Sequence, residues 1–209
     1  MRLGAEKLGF VTNDTLLRKA QKEGYAVGAF NANNMEIVQA IIETSVEEKA
    51  PVILQASQGA ISYAGVDYIT AIVKVASENA SVPVSLHLDH GTDFNQVLKC
   101  LRAGFSSVMF DGSKLPLKDN IAITKKVVEI AHPVGVSVEG ELGKIGGVED
   151  QISVTALQAT MTDPQEASEF VNQTGVDALA IAVGTIHGMR TREAKLDIQR
   201  IEKIRDLVK

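Results

Sequence analysis

The chain alternates short runs of β-branched and apolar residues with amphipathic helical stretches, and this alternation restricts the fold more than any other property of the sequence. The apolar runs fall at 25–30, 51–56, 83–88, 106–110, 134–138 and 178–183. A helical pattern follows each, at 35–49, 68–77, 94–103, 120–132, 164–173 and 196–208, and another at 12–23 precedes the first. Within 35–49, Ile37, Ala40, Ile41, Thr44 and Ser45 recur at three and four, while Glu43, Glu47, Glu48 and Lys49 take other positions, which gives one apolar stripe. Thr162-Asp163-Pro164 sets a capping side chain ahead of a proline at the first helical position, and Thr174-Gly175 closes that helix.

The runs are apolar on both faces, as strands of a parallel sheet covered by helices require. An open doubly wound sheet and a (β/α) barrel both satisfy this. The polar residues separate the two. Asn31 and Asn33 follow the first run, Ser57 the second, Asp89-His90-Gly91 the third, Asp111 the fourth, Glu139 and Glu141 the fifth, and His187-Gly188 the sixth. In an open sheet these strand ends would spread over tens of ångströms, because neighbouring strands stand about 4.8 Å apart. A barrel gathers them at one mouth, where barrel enzymes keep their active sites. The expected fold is therefore α/β, a TIM (β/α)8 barrel forming a single domain over 1–209. Such barrels take roughly 250 residues, so about six βα units are expected here and the C-terminal strands 7 and 8 are expected to be lacking.

Composition removes several classes of function. A net charge of −5, from 21 Lys+Arg against 26 Asp+Glu, disfavours a nucleic-acid surface, which rests on clustered basic residues. No apolar run approaches the ~20 residues of a membrane span. The charged start, Met1-Arg2-Leu3-Gly4-Ala5-Glu6-Lys7, lacks the apolar stretch of a signal peptide, so a cytoplasmic protein without nucleic-acid or membrane partners is expected. The single cysteine, Cys100, lies in a helical pattern and is expected to be a buried apolar side chain.

Chemistry concentrates in two places. In Ser85-Leu86-His87-Leu88-Asp89-His90-Gly91, strand alternation puts Ser85, His87 and Asp89 on one face. Histidines three apart are no standard metal clamp on one element, so His87 and His90 do different work, and His90 beside Asp89 is the functional candidate. Glu139 and Glu141 share a strand face, and two anions in a partly buried mouth need a cation, a proton or a helix dipole. With Asp111 they offer hard oxygen donors, while His90 and His187 supply imidazoles that suit zinc, iron or nickel. Solvated loop carboxylates are the competing reading. His132 ends a helix, where the dipole favours a cation, and is read as structural. Gly143-Lys144-Ile145-Gly146-Gly147-Val148-Glu149-Asp150 resembles a mobile flap whose Glu149 swings in as a general base, although the residues alone favour a solvated acidic loop. No G-x-G-x-x-G pattern or P-loop is present.

Five segments together resemble a known family: Tyr25-Ala26-Val27-Gly28-Ala29-Phe30-Asn31, His87-Leu88-Asp89-His90-Gly91, Ser107-Val108-Met109-Phe110-Asp111-Gly112-Ser113, Val138-Glu139-Gly140-Glu141-Leu142-Gly143 and Val183-Gly184-Thr185-Ile186-His187-Gly188. In order and spacing they are similar to the class II, metal-dependent aldolases of ketose bisphosphates, from about residue 12 to the C-terminus. Fructose-1,6-bisphosphate aldolase is the commoner member of that family, and tagatose-1,6-bisphosphate aldolase is a close relative.

The resemblance implies a zinc-dependent lyase of glycolysis and carbohydrate metabolism. It would split fructose 1,6-bisphosphate into dihydroxyacetone phosphate and glyceraldehyde 3-phosphate through a metal-stabilised enediolate. His90 and His187 match two imidazoles of the catalytic Zn2+, and Asp111 and Glu141 match a second divalent site. Asp89 matches the acid/base at the C4 hydroxyl, and Glu149 the loop carboxylate that moves a proton on dihydroxyacetone phosphate, which favours the flap reading. Asn31, Ser57 and Gly188 match substrate-contacting positions. A monovalent cation and a homodimeric or homotetrameric state are further family expectations. Lys114 replaces the family's usual histidine, and Met189-Arg190-Thr191-Arg192 replaces a Tyr-Lys-Gly type of loop. The family's third zinc histidine and its phosphate loops belong to strands 7 and 8, and none of the 4 histidines here matches that ligand. The alternatives are a tagatose-1,6-bisphosphate aldolase and a truncated, non-catalytic barrel serving as an assembly subunit. A metal-dependent hydrolase is weaker, because no His-x-His pair ends an early strand.

Overall fold

A computed structural model describes residues 10–149, 152–154, 160–188 and 195–208. They fall into two compact units, Met1–Met109 with Ala131–Ser137, and Phe110–Ile130 with Val138–Lys209.

In the first unit, helix α1 (Asn13–Glu23) starts where the Thr12 hydroxyl accepts the Thr15 N–H at 3.2 Å. Strand β1 (Gly28–Asn31) leads to α2 (Met35–Glu47), which begins where Asn34 Oδ1 accepts the Ile37 N–H at 3.0 Å. Strand β2 (Val52–Ser57) is followed by two helices, α3 (Gln58–Ala64) and α4 (Val66–Asn79). Strand β3 (Val84–Gly91), buried along its whole length, precedes α5 (Phe94–Ala103) and β4 (Ser107–Phe110). Strands β1, β2 and β3 pair in parallel in that order, with Asn31 opposite Gln55, Gln55 opposite His87, and Ser57 opposite Asp89. Leu54, Leu86 and Leu88 from the strands and Ile69, Val73 and Val97 from the helices are fully buried. Each such side chain contributes roughly 1.5–3 kcal/mol of hydrophobic stabilisation. Cys100 is also buried, as expected.

The second unit opens with α6 (Leu117–Ala131), and the 3-10 turn His132–Val134 that follows it in the chain belongs to the first unit. Strand β5 (Ser137–Leu142), β6 (Gly146–Glu149), β7 (Ile152–Val154), α7 (Pro164–Thr174), β8 (Ala178–Ile181), β9 (Ile186–His187) and α8 (Ile198–Leu207) follow. Strands β5 and β8 pair in parallel, with Glu141 opposite Ala180. Strand β6 pairs antiparallel with β7 and parallel with β9. In α7, Ala167, Phe170 and Thr174 form the buried stripe, and Phe170 packs against Gly140 of β5 within a cluster of Ile121, Leu142 and Ile204.

Four expectations are corrected. The fifth strand was expected at 134–138 but starts at Ser137, because Pro133 and the 3-10 turn occupy 132–134. It runs on to Leu142, so Glu139 and Glu141 lie inside the strand instead of after it. The single helix expected at 68–77 is α4, and α3 before it had no expectation. The sixth strand ends at Ile181, so His187 stands in a strand of its own. The described part of the 143–150 flap forms β6, paired on both edges. Among the described residues no helix is long and apolar enough to cross a membrane.

Candidate functional site

In the first unit the candidate residues meet at the ends of three adjacent strands. Asn31 ends β1, and its Nδ2 donates to Asp89 Oδ2 at 3.1 Å. Ser57 ends β2 opposite Asp89 and caps α3, its Oγ accepting the Ala60 N–H at 3.1 Å. Asp89 and His90 close β3, both buried, with His90 Nε2 3.8 Å from Asp89 Oδ1. That separation is an ion-pair distance and not a hydrogen bond. The next position takes no side chain: a Cβ on Gly91 would lie 2.6 Å from the Met109 carbonyl oxygen and 2.7 Å from Leu88 Cδ2. His87, three residues before His90, is only 2% exposed. Its Nδ1 lies 2.8 Å from Ser107 Oγ and 3.3 Å from Asn13 Nδ2. The two histidines therefore have different surroundings, one inside a core polar network and one at the strand end.

In the second unit Asp111 follows β4, its Oδ1 accepting the Ser113 N–H at 3.0 Å and the Ser113 hydroxyl at 2.6 Å. Glu141, 2% exposed, sits in β5, and its main-chain carbonyl accepts Asn120 Nδ2 at 2.9 Å. Asn120 Oδ1 in turn accepts the Thr124 hydroxyl at 3.0 Å. Carboxylate oxygens of Asp111 and Glu141 come within 4.8 Å of each other. Two buried carboxylates that close repel unless a cation or a proton offsets them. Glu139 is half-buried. His187, half-buried in β9, pairs in register with Gly147 of β6. A Cβ on Gly147, whose φ is +106°, would lie 2.9 Å from the His187 nitrogen and closer still to its carbonyl oxygen, so β6 and β9 meet only because this residue is glycine. Gly188 is the exposed turn residue after His187, with φ +65°. Glu149 ends β6, and its side chain lies outside the described residues, as do Met189 to Arg192.

In the second unit Asp111 and Glu141 are both buried and supply two carboxylates, hard donors of the kind a divalent ion takes, and in the first unit the buried His90 supplies an imidazole. Sequence reasoning missed three residues that hold this chemistry in place. Gln58 donates to the His90 carbonyl at 2.8 Å and Asn120 to that of Glu141. Thr162 donates its hydroxyl to the Leu142 carbonyl and accepts the Ala182 N–H at 2.8 Å, joining the ends of β5 and β8. The only signal was Gln58 lying next to Ser57; Asn120 and Thr162 read as ordinary helix and cap residues.

The family model for class II fructose-bisphosphate aldolase matches residues 11–209. The chain is 48% identical over 200 residues to a fructose-bisphosphate aldolase of Thermus caldophilus, covering 95% of this chain and 65% of that protein. It is 47% identical over 200 residues to a fructose-bisphosphate aldolase of Helicobacter pylori strain J99, covering 94% and 65%. The chain thus spans about 65% of the length of these curated relatives. Among solved structures it resembles the YdjI aldolase of Escherichia coli K12, with 31% identity and a TM-score of 0.83 over 95% of this chain and 70% of that one. A fructose-bisphosphate aldolase of Campylobacter jejuni shares the fold at 22% identity, with a TM-score of 0.77 over 97% and 66%. The fold class is accordingly that of the TIM (β/α)8-barrel aldolases, represented here by six strand–helix units. The chain belongs to the class II fructose-bisphosphate aldolase family.

Proposed function

We propose that the protein catalyses reversible aldol cleavage of a ketose 1,6-bisphosphate, taking fructose 1,6-bisphosphate to dihydroxyacetone phosphate and glyceraldehyde 3-phosphate. The observation that carries this reading is Asp89, buried at a strand end beside His90 with one carboxylate oxygen held by Asn31. A carboxylate fixed in this way can take the proton of the C4 hydroxyl in a defined direction. As that proton leaves, the C4 oxygen becomes the aldehyde, the C3–C4 bond breaks, and its electron pair moves towards the C2 carbonyl. Glu149 then returns a proton to C3, completing dihydroxyacetone phosphate. Asn31 orients Asp89, while Ser57 and the Gly188 backbone contact the substrate.

The buried His90 imidazole and, in the second unit, the buried carboxylates of Asp111 and Glu141 are donors of the kind divalent ions take. His90 and His187 would hold Zn2+, Asp111 and Glu141 a second divalent ion, and a monovalent cation would sit near the substrate. When bound, the zinc supplies Lewis-acid stabilisation of the charge that develops on the ketone oxygen. The protein is proposed to work in the cytoplasm as a homodimer or homotetramer.

The test is coupled aldol cleavage assayed with fructose and tagatose 1,6-bisphosphates. Asp89→Ala is expected to lower kcat by about 10²–10⁴-fold, the range of general acid–base catalysis, and a chelator should abolish turnover that zinc restores. Turnover that survives chelation would refute the metal-dependent reading.

A further inference from the structure

We propose that Gln58 is a positioning residue that holds the His90 imidazole in its working direction. This rests on the reading of His90 as a metal ligand and adds a residue that the reading does not contain.

His90 has φ +46°, and only it and Lys49 among the described non-glycine residues take positive φ. A residue with a Cβ is disfavoured in this left-handed region and stays there only where its surroundings hold it. Two features do so here. Gly91 leaves no room for the chain to shift, since even a Cβ there would meet the Met109 carbonyl at 2.6 Å. The second is the Gln58 amide, whose Nε2 donates to the His90 carbonyl at 2.8 Å and to Thr92 Oγ1 at 3.0 Å. Both N–H bonds of one amide nitrogen are thus spent on the residues that flank Gly91, one on the His90 main-chain carbonyl and one on the Thr92 hydroxyl.

The anchor for that amide is itself fixed. Gln58 is the first residue of α3, immediately after Ser57, whose hydroxyl caps the helix at Ala60. Ser57 stands opposite Asp89 in the β2–β3 register. The helix start therefore faces the end of β3, and the Gln58 side chain crosses to the peptide that a return of His90 to negative φ would rotate. That rotation would break the 2.8 Å bond and swing the Cα–Cβ bond that carries the imidazole. The role needs an N–H donor to the His90 carbonyl at the reach of a five-atom side chain. An ionised glutamate has no donor, a methionine has none, and an asparagine falls short by one methylene.

The experiment compares wild type, Q58M, Q58N, T92V and H90A as full chains. Zinc affinity is measured by competition with a chromophoric chelator, and the backbone coupling constants and carbon shifts of His90 are measured by NMR on the metal-free protein. Q58M is expected to bind zinc 10- to 100-fold more weakly, the range for losing a partner that orients a ligand. The melting temperature of its metal-free form should stay near wild type, with the His90 resonances moved off left-handed values. T92V, which keeps the bond to the His90 carbonyl, is expected to stay within about threefold of wild type. If Q58M does not fold, Q58N carries the same expectation. A Q58M or Q58N protein that binds zinc within about threefold of wild type, while H90A loses binding, overturns the inference and leaves His90 as a ligand. H90A binding as tightly as wild type overturns the ligand reading, and the inference with it.

Discussion

Replacing Gly147 by alanine tests how the β6 strand is held against His187. At φ +106° an L-residue is strained by about 1–3 kcal/mol. The added Cβ would also lie 2.9 Å from the His187 nitrogen and nearer to its carbonyl oxygen. Both are backbone atoms that cannot turn aside, so overpacking adds about 1–3 kcal/mol. The total penalty on the paired state is then about 2–6 kcal/mol. Against it stands a pairing of two register positions, Gly146 with Ile186 and Gly147 with His187. Two backbone hydrogen bonds there would contribute about 1–3 kcal/mol net. At mid-range the penalty, about 4 kcal/mol, outweighs the pairing, about 2 kcal/mol, and falls short of a typical domain stability of about 10 kcal/mol. β9 should therefore part from β6 while β5 and β8 stay paired. Native-state hydrogen exchange reads this directly. The β9 amides, and those β6 amides that pair with β9, are expected to lose the protection that pairing provides, roughly 5- to 150-fold at tenfold per 1.4 kcal/mol, and the β5 and β8 amides to keep theirs. Wild-type protection at His187 in G147A would refute the reasoning, as would a uniform loss of protection across the second unit. The first would mean that the backbone absorbs the methyl group, and the second that this pairing belongs to the cooperative core.

Two further predictions concern stability. Thr162→Val removes a buried hydroxyl that donates to the Leu142 carbonyl and accepts the Ala182 N–H, leaving two buried groups unsatisfied, so urea unfolding should show a loss of about 2–6 kcal/mol that Thr162→Ser largely avoids. Burial pushes the Cys100 thiol from 9.0 up to about 12, so it should resist alkylation at pH 8 in the folded protein. Between those two pH values the unfolded chain gives up a proton that the folded chain keeps. Stability should therefore fall as pH rises, by up to about 1.4 kcal/mol per pH unit, and Cys100→Ala should lack that slope.

What the sequence reveals and what it hides differ in range. Helix α5 falls on its expected bounds of 94–103 because its signals are local: Asp93 accepts the Asn95 N–H at 3.0 Å and Gly104 ends the helix. Asp89 and His90 stand out for a similar reason, being adjacent polar residues at the end of an apolar run. The run 178–183 reads as one strand, yet β8 stops at Ile181. Ala182 is taken by Thr162, which accepts its N–H and donates a main-chain N–H to its carbonyl at 3.0 Å from 20 residues away. No periodicity marks such a partner. Helix α3 stays hidden because Ser57, read as a strand-end contact, also caps it, and Gly59 breaks its apolar rhythm. Gln58 and Asn120 are hidden more deeply, since each acts on a main-chain carbonyl, a group every residue carries. The residues that would touch a metal or substrate are thus legible by their type. Those that aim them become visible only when the backbone they hold has a position.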